Sequence, residues 1–177
     1  MELLTNERIS LRALEPEDLD ILYKWENDTS LWENGTTTVP YSRFTLYEYL
    51  KNYSTDIYQD KQLRLMITLN NGKVPVGTVD LFDFDPFHSR AGVGILIDKP
   101  FRGNHLATES LKLLTSYSFK FLHLHQLYTH IPEQNSISLK LFSNNGYCLC
   151  GQIKDWLKTE KGYQSIYVMQ LLNQNIP

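Results

Sequence analysis

The strongest constraint in the chain is a hydrophobic run that a proline stops and a helix follows. Ala91 to Asp98 is nearly all apolar and strand-sized, as expected of a central strand buried on both faces, and Pro100 ends it. From about His105 to Phe121, the residues Ala107, Leu111, Leu114, Tyr117 and Phe121 form one apolar line at helical spacing. Gln126 to Ile131 then reads as another strand. A strand, a crossover helix and a second strand in one sheet predict a right-handed parallel unit.

The elements around this unit point to a mixed sheet. Ile9 to Ala13 reads as a first strand, and Glu15-Pro16-Glu17-Asp18 places proline and acids in the first turn of a helix carrying Leu19, Leu22, Tyr23 and Trp25. Asn34 to Pro40 breaks the pattern, and a second helix is predicted over Leu46 to Tyr58. These two helices precede most of the sheet, which suits a mobile or substrate-facing flap. Leu63 to Leu69 and Val74 to Phe84 form a hairpin about Asn70-Asn71-Gly72-Lys73, whose Asn-Gly pair supplies positive φ. Strict alternation along the return strand puts Asp80, Phe82 and Phe84 on one face, with Leu81, Asp83 and Asp85 on the other. With Ala91 to Asp98 this makes an antiparallel meander. A short helix over Ser136 to Asn144, capped by Asn135 and ended by Gly146, precedes two last strands, Tyr147 to Gly151 and Tyr163 to Leu172.

At 177 residues the chain suits one domain, read as spanning residues 1–177, because two would each be poorly cored. Its 42% apolar and 21% charged content, with eleven tyrosines, describe an ordinary soluble globule. A net charge of −3, without a basic cluster, gives no basis for nucleic-acid or anionic-membrane binding. The first residues do not read as a secretory signal, and no stretch approaches the roughly 20 apolar residues of a membrane span. Cys148 and Cys150, even with His123 and His125, fit no common zinc spacing. They are expected to be buried or half-buried reduced thiols, which suits a cytoplasmic location.

The chemistry concentrates at the start of the crossover helix. Phe101-Arg102-Gly103-Asn104-His105 opens a helix whose first four N–H groups lack internal partners, so it can face an anionic group. Arg102 adds charge and Gly103 lets the backbone turn closely. The passage is neither a Walker A loop nor a dinucleotide fingerprint, which argues against nucleotide hydrolysis. Asn135 and Ser138 lie where the two parallel strands should part, at a wedge that an extended ligand can enter. Asn135 equally reads as a plain helix cap.

At these residues the chain resembles the GCN5-related N-acetyltransferase (GNAT) superfamily, in its spermidine/diamine and ribosomal-protein alanine acetyltransferase branch. The likeness runs from Ile9-Ser10-Leu11-Arg12 and Glu17-Asp18 through Gly146-Tyr147. The family's acetyl-CoA turn, Arg/Gln-x-x-Gly-x-Gly/Ala, is matched in its scaffold by Arg102, Leu106 and Ala107, and its Asn-x-x-Ser helix followed by Gly-Phe/Tyr by Asn135, Ser138, Gly146 and Tyr147. The resemblance implies an α/β (mixed α+β) GNAT-like fold: a central mixed sheet with an antiparallel meander, a parallel cofactor wedge and helices on both faces. It implies direct acetyl transfer from the cosubstrate acetyl-CoA to a small polyamine or diamine, or to a protein N-terminal amine. Self-association into a homo-oligomer is compatible with it. The cofactor-binding residues implied are Ile95, Leu96, Ile97, Arg102, Gly103, Asn104, His105, Leu106, Ala107, Asn135, Ser138 and Phe142.

Two positions depart from the family. His105 stands where glycine is usual, close to the pyrophosphate. Should that position need positive φ, binding should weaken; should it be helical, the backbone donor is retained. Phe142 stands near the place of a tyrosine thought to protonate the departing thiolate, and it cannot do so. A thiol with a reference pKa of about 8.5 needs that acid less urgently. Glu33, Asp80 and Asp83 are the carboxylates that can relieve an acceptor ammonium of its proton, and backbone N–H groups around Gly94 to Leu96 can polarise the thioester, especially at a bulge. Trp25, Trp32, Tyr41, Tyr47, Tyr49 and Tyr53 can line a pocket or simply pack. The departures also leave a second reading, a catalytically weak acyl-CoA-binding or regulatory module.

Overall fold

The computed structural model describes residues 3–32, 39–53 and 56–174. Among them the order is β1 (Ile9–Arg12), α1 (Leu19–Glu26), α2 (Thr29–Trp32), α3 (Arg43–Asn52), α4 (Ile57–Asp60), β2 (Leu63–Leu69), β3 (Val74–Asp85), β4 (Arg90–Ile97), α5 (Leu106–Lys120), β5 (Gln126–Pro132), α6 (Ser136–Asn144), β6 (Cys148–Thr159) and β7 (Gly162–Leu172). Short 3-10 turns at Pro16–Asp18 and Lys99–Phe101 introduce α1 and follow β4. The strands form one mixed sheet in the order β1-β2-β3-β4-β5-β7-β6. Every neighbouring pair is antiparallel except β4 and β5, the pair joined by the crossover helix.

Alternation along β2 shows how the sheet divides its faces. Leu65 and Ile67 enter a core shared with Val79, Leu81 and Val93 of the sheet and with Leu106, Leu111 and Leu114 of α5. Met66, between them, points the other way and packs with Leu22 and Trp25 of α1. The helices ahead of the sheet are thus a docked layer held by a buried tryptophan. Arg12 reinforces the entry to α1 with a two-pronged ion pair to the buried Asp18, at 2.7 and 2.8 Å. Trp25 resolves to packing, as do Tyr49 and Tyr53, whose rings meet at 5.3 Å.

Several local expectations are corrected. The helix expected over Leu46 to Tyr58 ends at Asn52, because Tyr53 turns extended to bond with β2, and a separate turn of helix follows at α4. Positive φ in the β2–β3 hairpin falls on Gly72 and Lys73. Alternation along β3 fails at Asp83, whose φ of 48° lies in a register shift between Phe82 and Asp85. The extra residue turns Phe84 to the face of Leu81, where it is buried in the α5-side core. Pro75, lacking an N–H, sits in an interior strand beside the register shift at Ile67/Thr68, where a ladder bond is already lost. β6 runs on to Thr159, well past Gly151, and Cys148 and Cys150 on it are free and exposed. They are solvent-facing because β6 is the sheet's edge strand and its segment carries few inward apolar residues. No group of residues able to hold a metal ion occurs among the described residues. Among the same residues no helix is long and apolar enough to cross a membrane.

Close approach of β3 to β4 depends on Gly77, where an added Cβ would lie 2.0 Å from the Leu96 carbonyl oxygen. Backbone cannot yield as a side chain can. Gly77→Ala should therefore cost about 1–3 kcal/mol of stability, and an unchanged urea midpoint would show that the strands tolerate the methyl group.

Candidate active site

The site begins with a parting of strands. β4 and β5 pair only from Arg90/Gln126 to Gly92/Tyr128, whereas β3 holds β4 as far as Gly77/Ile97 and β7 holds β5 as far as Pro132/Ile166. Beyond Gly92 the two strands diverge, each still fixed on its outer side. Ile95, Leu96 and Ile97 line the β4 side of this wedge, and α6 begins just beyond the β5 side. Asn135 accepts a hydrogen bond from the Ser138 N–H at 3.1 Å and so caps α6. No register shift occurs on β4 between Gly92 and Ile97, so the bulge considered near Gly94 to Leu96 is not there.

The turn before α5 is exposed, and its backbone amides are in excess. Gly103, Asn104 and His105 make no amide bond to a protein acceptor among the described residues, and Leu106 and Ala107 open the helix, where intrahelical acceptors are lacking. The turn is braced on several sides. Arg102 Nε donates to the Ile97 carbonyl at 2.9 Å, Arg8 bonds the Asn104 carbonyl at 3.3 Å, and Arg8 also pairs with Glu109. Lys24 bonds Asp98 at 2.8 Å and Lys99 bonds Asp28 at 2.9 Å, fastening α1 and α2 to the residues just ahead. The Lys99 ammonium, with Ser30, holds the Asp28 carboxyl down at about 2.

His105 settles the choice its sequence left open. Its φ of 62° and ψ of 6° are left-handed, so the position does require the glycine-favoured conformation. The histidine adopts it without any side-chain cap bond. The turn keeps its shape at a cost to folding of about 1–2 kcal/mol.

The sheet face beneath α1 and α3 carries the remaining chemistry. Cross-strand partners share a face, which groups Arg64 with Asp80, Asp80 with Gly94, Phe82 with Gly92, and Gly92 with Tyr128. Gly94 leaves a trough in β4 beside Asp80, whereas the Phe82 ring covers Gly92. An added Cβ at Gly92 would lie 2.3 Å from the Phe82 ring, whereas one at Gly94 would have Asp80 Oδ2 as its nearest neighbour, at 3.7 Å. Phe82 meets Tyr128 edge-on at 6.0 Å. Asp80 is bonded through Oδ1 to Arg64 Nε at 2.6 Å, and Arg64 Nη1 reaches Glu26 at 2.7 Å. Burial pushes the Asp80 carboxyl up, Arg64 opposes the rise and Glu26 adds to it.

Of the other expected site residues, Asp83 is exposed on the β3 bulge and accepts a long bond from Tyr128 at 3.4 Å. Glu33 lies outside the described residues. Phe142 is buried, edge-on to Tyr147 at 4.9 Å, in the α5-side core. Arg64 and Glu26 escaped the sequence reading because nothing in their spacing joins positions 26, 64 and 80. Only the β2–β3 register, legible once the hairpin turn is placed, sets Arg64 opposite Asp80.

A strand wedge, an amide-rich helix start and a carboxylate trough on the same sheet describe an acyltransferase of the acetyl-CoA class. The family model described as acetyltransferase (GNAT) domain matches residues 8–147, and the chain belongs to that family. It is similar to spermidine N(1)-acetyltransferase of Escherichia coli (strain K12), with 28% identity over 145 residues, 82% of this chain and 75% of that protein. The structure of spermidine N-acetyltransferase from Vibrio cholerae in complex with CoA and spermine superposes with a TM-score of 0.84 at 26% identity, covering 94% of this chain and 96% of that one. A dodecameric structure of the Vibrio cholerae enzyme in an intermediate state gives a TM-score of 0.78 at 27% identity over 94% and 95% of the two chains. The chain is an N-acetyltransferase that uses acetyl-CoA, and the reading as a weak CoA-binding module is not favoured.

If His105 pays for a left-handed backbone, glycine there should relieve it. His105→Gly is expected to raise stability by about 1 kcal/mol, read as a higher urea midpoint; a lower midpoint would mean that the imidazole stabilises the turn.

Proposed function

We propose that the acceptor is the primary amine of a small polyamine, bound in the trough over Gly94 with the Phe82 ring at its side, and that Asp80 takes its proton. The carrying observation is Asp80 Oδ2, left free by the Arg64 contact at Oδ1 and nearest to the open space at Gly94. The local charges, two carboxylates against one guanidinium, favour a cation. Similarity to enzymes named for spermidine supports the same acceptor class.

The residues present fit acetyl-CoA. The unpaired edges of Ile95, Leu96 and Ile97 suit an extended amide-bearing arm, and the amides of Gly103, Asn104, His105, Leu106 and Ala107 suit its pyrophosphate. Arg102, anchored on Ile97, holds the turn and keeps positive charge beside it. Asn135 sets the first turn of α6, Ser138 lies on its half-buried side, and Phe142 packs beneath it. Bound there, acetyl-CoA supplies a thioester whose C–S bond breaks as the amine nitrogen forms the amide, the departing sulfur taking the nitrogen's second proton.

Presenting a neutral amine is the protein's harder task. With a lysine-like reference pKa near 10.4, it costs roughly 4 to 5 kcal/mol at pH 7. Asp80 accepts the ammonium's first proton and passes it to water after transfer, so the balance is one proton released per amide formed. Phe142 leaves the leaving group unassisted, which its modest basicity permits. We further propose that residues 1–177 act as one N-acetyltransferase domain that assembles with copies of itself, as the dodecameric Vibrio cholerae structure suggests.

Acetyl-CoA with spermidine, shorter diamines and peptide N-termini as acceptors tests the assignment by thiol release. Spermidine should turn over at least tenfold better than any peptide, and transfer confined to peptide N-termini would reject the polyamine. Asp80→Asn should lower kcat about 100-fold or more, with acetyl-CoA affinity by calorimetry little changed.

A further inference from the structure

Resting on the reading of Asp80 as proton acceptor, we infer that Arg64 is a positioning residue for acetyl transfer: its guanidinium, shared between Glu26 and Asp80, fixes Asp80 Oδ1, leaves Oδ2 to the acceptor nitrogen, and makes Glu26 a remote control on that carboxylate. The arrangement spans three elements. Nε of Arg64, on β2, donates to Asp80 on β3 at 2.6 Å, while Nη1 donates to Glu26 at the end of α1 at 2.7 Å. All three side chains are mostly buried yet reach solvent, with 23% exposure for Arg64, 22% for Glu26 and 15% for Asp80.

The arginine is itself held at its root. Its backbone N–H donates to the Tyr53 hydroxyl, which in turn donates to the Arg64 carbonyl at 3.2 Å. The residue that ends α3 therefore clamps β2 at Arg64, and the guanidinium leaves from a fixed point. Tyr49, packed on Tyr53, keeps a buried hydroxyl in the field of Arg64. Burial raises both phenols, so they stay neutral through the working pH range. The groups that face Asp80 are then Arg64 from β2 and Glu26 from α1, with neutral Tyr49 from α3 and Tyr53 just beyond it; across on β4 lies Gly94.

Such sharing needs a fork. A lysine ammonium is a point charge on a flexible stem and cannot keep two carboxylates at two set angles, whereas the planar guanidinium presents Nε and Nη1 in one rigid plane. The two neighbours of Asp80 act with opposite sign. Arg64 favours the charged carboxylate and Glu26 disfavours it, and proton acceptance requires the charged form. Losing Glu26 should thus extend activity to lower pH, and losing the Arg64 charge should withdraw it to higher pH.

The test measures kcat/KM for spermidine across pH on full-length Glu26→Gln, Arg64→Gln, Arg64→Lys and Asp80→Asn proteins, with acetyl-CoA affinity by calorimetry alongside. Glu26→Gln should move the acidic limb down and Arg64→Gln should move it up. Arg64→Lys should lower kcat at least tenfold, with acetyl-CoA affinity within about twofold of the parent in each case. Limbs that stay put in both charge variants, or move together, overturn the role given to Arg64. Should Arg64→Gln not fold, the directions for Glu26→Gln and the kcat for Arg64→Lys still decide. Full activity in Asp80→Asn would remove the proton-acceptor reading and this inference with it. Loss in Asp80→Asn with unmoved limbs elsewhere removes the inference alone.

Discussion

The parting of β4 from β5 is the constraint on which the site depends. Three residue pairs hold the two strands together, and past Gly92 each remains paired on its outer side only. Backbone groups inside a sheet ordinarily find partners in the next strand. Here the inner edges beyond the last pair face a gap, and β3 and β7 hold the two strands apart. α5 starts from the same end of β4 and brings its unpartnered amides there. Wedge and turn are consequences of one topology: a parallel pair needs a crossover, and the crossover helix has to begin next to the place where the pair divides.

What could be read in the sequence follows from the range over which each feature is encoded. β4, α5 and β5 announce themselves by an uninterrupted apolar run, a helical period and a proline between them. α6 was legible to the residue because cap and terminator, Asn135 and Gly146, are local signals. Alternation on β3 was readable only as far as Asp83, since one left-handed residue reverses the face of all that follows and aspartate does not advertise it. The end of α3 was hidden for the opposite reason. Apolar spacing continues through Tyr53, but a tertiary bond to Arg64 outweighs it. The exposure of Cys148 and Cys150 depends on β6 being an edge, and that is a property of strand order.

His105 shows how a substitution can depart from a family pattern while keeping its geometry. Glycine is favoured at a left-handed position because it avoids the Cβ clash, but the clash is paid in folding free energy and the backbone remains where it was. The bracing by Arg8, Arg102 and the Lys99 and Lys24 ion pairs supplies rigidity that makes this tolerable. His105 thus holds the left-handed backbone that glycine favours, and the imidazole adds a side chain at the exposed turn.

The acceptor side is organised by a different balance. A lone carboxylate on the sheet face would be costly to desolvate, and one neutralised completely by an arginine would be a poor base. Sharing one guanidinium between two carboxylates gives neither extreme: charge-assisted bonds hold the cluster together, and Arg64 engages Asp80 through Oδ1 alone. On the reading proposed above, a cationic amine arriving there would complete the neutralisation and find an acceptor for its first proton. Because Glu26 closes α1, the same cluster adds a polar tie between the sheet floor and a helical layer already docked through Trp25.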